Sequence, residues 1–504
     1  MRDAFAARKL ALLALTLLAA ALLFSGPSAA RPRAVAASPS VEVVVTSADL
    51  SQALTQMPDL TFSSTDPGGP IIHVNEHAPD QTIKGFGGAM TDTSAWLIYD
   101  RLSPATRAGL MNALFGTGTG TGTGGIGLNF IRVPMGASDF TSARRPYSYD
   151  DLPPGSSDPG LRHFSIRHDT RYIIPALKQA LSIDPHMFVL ANPWSPPGWM
   201  KTNDALDNRN DKGYLKAGAE RPLAHYFVRF LQAYREHGID IDAITPQNEP
   251  GQQSIYPGMN MSEASEAEFI QEDLAPALTA AKLYPKIFGY DWGWKPDQIQ
   301  FAYALAKSRA AGDLAGIATH CYDGDPTTMS RLHREAPRLD EIVSECSPGI
   351  MPAPTAEVAI AAMRNWASAL ALWNLALDPA GGPVEPPNFA CPHCTGIVTV
   401  DERTGTVALT RDYYQLGQLS KFVTPGAVRI GSNTFVRYVT PSKTRSMATA
   451  GLDDVAFQNP NGSRVLIAYN NALASVSFAV TDDGGYFAYT LAPGATVTFV
   501  WDQP

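Results

Sequence analysis

Ile241-Asp-Ala-Ile-Thr-Pro-Gln-Asn-Glu-Pro250 and Glu341-Ile-Val-Ser-Glu-Cys346 are short apolar stretches that each run out in a carboxylate, Glu249 and Glu345. An unpaired charge is too costly to bury, so each glutamate is expected where its strand opens into a cleft. Working outward, further short apolar segments at 82–90, 127–134, 186–193, 284–291, 315–321 and 368–375 join 241–248 and 340–345 to make eight. Amphipathic stretches lie between them, as in 224–238, where Phe227, Leu231 and Tyr234 recur at helical spacing and Gly238 supplies a stop. Strand and helix alternating eight times predict an α/β fold, a (β/α)8 barrel over 81–424. An open doubly wound sheet shares much of that pattern.

The flanks read differently. Residues 37–80 carry Val41-Glu-Val-Val-Val45 and Ile71-Ile-His-Val74. Residues 425–504 alternate with period two, as in Val476, Phe478, Val480 and Val497, Phe499, Trp501, and an Asn461-Gly462 turn precedes Val465 to Tyr469. These segments predict one attached all-β sandwich domain, its N-terminal strands joining C-terminal ones. Gly116 to Gly125 is a Gly/Thr repeat with no Lys-Ser/Thr after it, so it is no phosphate loop. Lying between a helix and the next strand, it falls on the barrel face opposite the strand ends.

Residues 1–36 read as a secretory signal: Arg2, Arg8 and Lys9 lead into an apolar run from Leu10 to Phe24, broken by Gly26 and Pro27, with small-residue cleavage sites after Ala30 or Ala36. The run is too short to span a bilayer well, so export without stable membrane insertion is expected. A chain that is 45% hydrophobic and 17% charged is globular. A net charge of −9 without a basic block argues against nucleic acid as a partner.

The strand ends supply the chemistry. Strand one runs to Asp92, strand two carries Arg132, and strand three runs into Trp194. Strand four ends in Asn248-Glu249, strand six in His320-Cys-Tyr322, strand seven in Glu345 and strand eight in Trp373-Asn374. In a barrel these converge on one mouth. Breaking an acetal needs a proton on the leaving oxygen and a carboxylate for the oxocarbenium-like carbon, a pairing that Glu249 and Glu345 provide. Arg132 would keep the nucleophile ionised and Tyr322 would orient it. Asn248 would bind the sugar 2-hydroxyl, and Trp194 and Trp373 would wall the apolar face of a pyranose. Taken singly, Arg132 reads equally as a structural ion pair, the tryptophans as core, and Asp92 as a helix N-cap.

Together the stretches Gln81-Thr-Ile-Lys-Gly-Phe-Gly-Gly-Ala-Met-Thr-Asp92, Ile131-Arg-Val-Pro134, Phe164-Ser-Ile166, Trp194-Ser-Pro-Pro-Gly-Trp-Met-Lys-Thr-Asn203, Gln247-Asn-Glu-Pro250, His320, Tyr322 and Ser344-Glu345 resemble glycoside hydrolase family 30, the glucosylceramidase-like retaining β-glycosidases. The resemblance runs from about residue 40 to the end. It implies Glu249 as acid/base, Glu345 as nucleophile, and Asp92, Trp194, Asn248, His320, Tyr322 and Trp373 around the sugar. The expected substrate is a β-glucoside of the glucosylceramide type, with β-1,6-glucan or xylan as the alternative within the family. A non-catalytic carbohydrate-binding protein would be expected to lack one of the two glutamates. Cys321 stands where animal lysosomal members of the family carry an aromatic residue.

Cys391-Pro-His-Cys394 matches a redox motif, but Gly396-Ile-Val-Thr-Val-Asp401 reads as strand and turn rather than helix. A disulfide between Cys391 and Cys394 is therefore expected in an exported chain. No cofactor is implied. No metal site is expected either, since His-Glu-x-x-His is absent and 207–213 fails the calcium-loop spacing.

Overall fold

A computed structural model describes residues 40–118, 124–143, 145–385, 393–433 and 451–503. Three strands come first: β1 (Ser40–Thr46), β2 (Thr55–Thr61) and β3 (Ile71–Asn75). Eight parallel strands then close a barrel: β4 (Gly85–Ala89), β5 (Phe130–Pro134), β6 (Phe188–Asn192), β7 (Ala243–Ile244), β8 (Lys286–Trp294), β9 (Gly316–Gly324), β10 (Asp340–Glu345) and β11 (Ala367–Leu372). Each coincides with one of the eight expected apolar segments. The signal segment 1–36 and residues 119–123 of the Gly/Thr repeat lie outside the described residues. Among the described residues, no helix is long and apolar enough to cross a membrane.

The barrel is filled rather than hollow. Phe130, Leu190, Ala243, Phe288, Ala318, Ile342, Ala369 and Ala371 form one buried cluster inside it, large side chains meeting small ones. Gly-Phe-Gly-Gly in β4 has a steric cause: a Cβ on Gly87 would fall 1.6 Å from the Phe130 carbonyl oxygen. β7 is only two residues long against the expected 241–248, because Pro246 has no N–H for the ladder. β8 runs on to Trp294 through irregular register, with Tyr290 (φ 77°) and Asp291 (φ 54°) in the left-handed region.

The helix that the Phe227, Leu231 and Tyr234 spacing announces spans Glu220–Glu236 and buries Leu223, Phe227, Phe230, Leu231 and Tyr234. It ends before Gly238, at φ 78°. Burying each large apolar side chain contributes about 1.5–3 kcal/mol, so this face, not intrinsic propensity, holds the helix on the barrel.

After the barrel come a small sheet of β12 (Ala376–Leu377), β13 (Val398–Asp401) and β14 (Thr406–Leu409), then β15 (Val428–Ser432), β16 (Leu452–Gln458), β17 (Arg464–Asn470), β18 (Val476–Asp482), β19 (Gly485–Leu491) and β20 (Thr496–Trp501). The flanking strands make one all-β unit in the order β19-β18-β3-β15-β16-β17-β20-β1-β2. β1 lies antiparallel to β20 from Val41 opposite Trp501 to Thr46 opposite Thr496, and β3 sits between β18 and β15. Alternation gives β17 two apolar faces. Leu466 and Ala468 enter the sandwich core, while Val465, Ile467 and Tyr469 enter the cluster shared with the barrel.

A disulfide joins Cys321 to Cys346, tying the ends of β9 and β10 directly beside His320 and Glu345. Nothing in the spacing of the cysteines along the sequence pairs these two. The expected partner of Cys394, Cys391, lies outside the described residues; Cys394 is buried, and its Sγ accepts the Ser347 hydroxyl at 3.4 Å.

Candidate active site

Arg132, at the mouth end of β5, is fully buried. Its Nη1 donates to Glu345 Oε2, and its Nη2 donates to Asn248 Oδ1 at 2.7 Å and Asp291 Oδ2 at 3.0 Å. Such a buried cation persists because carboxylates surround it. Asp291, from β8, receives five donors: Arg132, Asn192 Nδ2 (2.9 Å) and Thr245 Oγ1 (2.7 Å) on Oδ2, and His320 Nε2 (3.2 Å) and Ser344 Oγ (2.5 Å) on Oδ1. Burial alone would raise its pKa, yet Arg132 and His320 hold it below the ordinary carboxylate range.

His320 sits between the two glutamates. Its Nδ1 lies 3.0 Å from Glu249 Oε1 and 3.8 Å from Glu345 Oε1. Burial works against its charge, but Glu345, Asp291 and Glu249 raise its pKa to about 10, so both ring nitrogens carry protons at neutral pH. A doubly protonated ring has no lone pair for a metal ion. One carboxylate oxygen of Glu249, one of Glu345 and one His320 nitrogen all lie within 4.8 Å of one another.

The glutamates differ in their surroundings. Glu345 accepts Arg132 and, at 2.8 Å, the Tyr322 hydroxyl. Glu249 sits at φ 43°, a left-handed position disfavoured for a side-chain-bearing residue. Burial, and then the Glu345 charge, raise its pKa against the opposing pull of His320. Of the two carboxyl groups, Glu249 is the one whose surroundings favour the protonated form, burial being the largest cause.

Asn248 gives its carbonyl oxygen to Arg132, which leaves its amide NH2 for a sugar hydroxyl. Trp194 and Trp373 do not stand as two opposed walls. They stack on each other (centroids 4.7 Å apart, 19° between planes), with the Arg132 guanidinium 4.7 and 5.2 Å from the two ring centroids.

Asp92 departs from expectation. Thr91, not Asp92, caps the helix, accepting the Ser94 amide. The Asp92 carboxylate is saturated by Ser142 N and Oγ (both 2.7 Å), Tyr147 Oη (3.1 Å), Tyr172 Oη (2.9 Å) and His168 Nε2. It therefore holds the loop after β5 in place. The residue that faces the pair is Asp139, on that same loop. It is buried, with Oδ1 unpartnered, and its pKa is pushed far up by burial and by the Glu345 charge. The Trp373 indole N–H beside it offsets part of that rise. The unpaired Asp139 oxygen beside the glutamates suits a sugar hydroxyl.

Asp139 went unread because it lies five residues past the strand end at Pro134. Asp291 was legible by the rule that found the glutamates: a lone carboxylate in Ile287-Phe-Gly-Tyr-Asp-Trp.

Residues 83–423 match the family model described as the glycosyl hydrolase family 30 TIM-barrel domain, and 426–499 match the family's β-sandwich domain. An endo-1,6-β-D-glucanase of Neurospora crassa is 35% identical over 399 residues, 77% of this chain and 79% of that protein. The lysosomal acid glucosylceramidase of Mus musculus is 31% identical over 466 residues, 86% of this chain and 84% of that protein. A solved endo-β1,6-glucanase superposes with a TM-score of 0.78 at 27% identity, covering 92% of this chain and all of that one.

Proposed function

The chain belongs to glycosyl hydrolase family 30, and from that premise we propose that it is a retaining endo-β-1,6-glucanase. The observation that carries the chemistry is the short gap between Glu249 and Glu345, with oxygens within 4.8 Å. Retaining enzymes hold the carboxyl groups ~5–5.5 Å apart, whereas inverting ones need ~6.5–9.5 Å to admit water. Glu345, paired with Arg132 and Tyr322, attacks the anomeric carbon. Glu249 delivers its proton to the leaving oxygen. Once the glycosyl-enzyme forms, the Glu345 charge that raised the Glu249 pKa is gone, and Glu249 becomes the base that activates water. Asn248 supports the 2-hydroxyl, a contact that strengthens in the transition state.

On substrate, the family resemblance of the sequence alone points first to glucosylceramide. The glucanase identity of 35%, against 31% for the glucosylceramidase, and the glucanase structure at TM-score 0.78 favour β-1,6-glucan instead. Export through residues 1–36 suits a polysaccharide met outside the cell. The deciding measurement is a panel on the purified enzyme of β-1,6-glucan, glucosylceramide, xylan and aryl β-glucosides. Oligosaccharide release from β-1,6-glucan is expected, and turnover of glucosylceramide or xylan without it would overturn the assignment.

A further inference from the structure

Away from the glutamates, the loop after β5 folds two aspartates together. Asp150 and Asp158 are both buried, and His163 stands at the surface beside them; one donor atom from each lies within 4.8 Å of the other two. Asp150 Oδ2 accepts the Trp199 indole N–H at 2.9 Å, but its Oδ1 is buried with no partner. Asp158 Oδ2 accepts the His163 backbone amide at 2.8 Å and faces the ring Nδ1 at 2.9 Å. We propose that Asp150, Asp158 and His163 bind a divalent transition-metal cation, zinc before manganese.

The argument is one of unmet demand. A buried carboxylate oxygen without a donor is costly, and a second carboxylate beside it makes the demand a positive one. Two oxygens and one imidazole nitrogen, open to solvent on the histidine side, suit zinc or manganese completed by water. A purely hard cation would take oxygen donors only. The role is structural. Tyr147 and Tyr149 on the same loop bond Asp92 and Asp169, and Trp199 arrives from the loop after β6, so a bound ion would clamp two loops that wall the mouth.

The test uses the whole chain, stripped with EDTA and dialysed. Titration calorimetry and elemental mass spectrometry with ZnCl2, MnCl2 and CaCl2 measure binding, and thermal unfolding reads its effect. One equivalent of zinc or manganese should bind and raise the unfolding midpoint. His163→Ala keeps the backbone amide that Asp158 accepts, so it should fold and retain glycosidase activity. Since losing even an outer-shell partner weakens metal sites ~10–100-fold, it should bind at least about tenfold more weakly. Glu249→Gln separates this site from the Glu249–His320–Glu345 group and should leave binding intact. Three results would overturn the proposal: no stoichiometric binding, binding of calcium alone, or binding that Glu249→Gln abolishes and His163→Ala spares.

Discussion

Replacing Asp291 by alanine tests the electrostatic account of the site where it is most exposed to refutation. Five donors converge on this carboxylate, two of them on the buried cations Arg132 and His320. Truncating one partner of a buried ion pair costs about 3–5 kcal/mol, because the other charge stays buried and uncompensated. The amide of Asn192 and the hydroxyls of Thr245 and Ser344 also lose their acceptor, which places the expected loss in the upper half of that range. A natural protein has only about 5–15 kcal/mol in all, so the variant should be folded but markedly weakened. Urea unfolding followed by tryptophan fluorescence measures it, the stacked Trp194 and Trp373 lying directly on Arg132. The double variant Asp291→Ala/Arg132→Met removes the stranded charge and should be less destabilised than the two single losses added together. A loss below about 1 kcal/mol for Asp291→Ala, or strict additivity in the cycle, would refute the reasoning.

The division of labour between the glutamates predicts that Glu345→Gln abolishes turnover on every substrate. Glu249→Ala should act only on substrates with good leaving groups, and added azide should release a β-glycosyl azide; NMR detection of the α-azide would reverse the mechanism. Asp139→Asn should lower kcat/KM on glucan while leaving the unfolding midpoint nearly unchanged, and unaltered kinetics would return Asp139 to a packing role. Two groups with raised pKa values, Glu266 and His320, should make stability fall as pH rises above 4.5. Glu266, fully buried, has a folded pKa raised from 4.5 to about 8, so its neutral form is the one the fold accommodates, and stability is lost as pH rises between those values. His320, raised from 6.5 to about 10, contributes stability that is whole below 6.5 and disappears as pH climbs to about 10. Glu266→Gln should therefore raise the midpoint more at pH 8 than at pH 5, and parallel profiles for variant and parent would contradict it. Replacing both Cys321 and Cys346 by serine opens a loop with a sequence separation of 25 and should cost about 3 kcal/mol in denaturant unfolding. A non-reducing peptide map lacking that cross-link would remove the basis for the figure.

The barrel was legible because its strands are buried on both faces and read as apolar runs between helical patterns. Ala243–Ile244 could be found but not measured, since hydrophobicity does not show where Pro246 ends the ladder. Glu249 and Glu345 were legible because a charge closing an apolar run has few places to go. Position after a strand says nothing about which donors already occupy the Asp92 carboxylate. Five donor atoms from Ser142, Tyr147, His168 and Tyr172, 50 to 80 residues away, decide that, and only the fold brings them together. The Cys321–Cys346 bridge was missed for a related reason: the adjacency of β9 and β10, not the spacing of cysteines, creates it.

The pairing of β1 with β20 has a consequence for how the molecule is made. A chain synthesised from its N-terminus has residues 40–46 waiting, without their neighbour, until residues 496–501 emerge. β17 needs the same last strand on its other edge, and its Val465, Ile467 and Tyr469 face the barrel side. Until then both strands offer open backbone edges beside apolar side chains, the combination that invites mispairing and aggregation. The final segment therefore acts as a latch. Its arrival closes the sandwich, and a nick or frameshift that removes only 496–501 should yield a molecule with a complete set of catalytic residues that proteases nevertheless treat as unfinished.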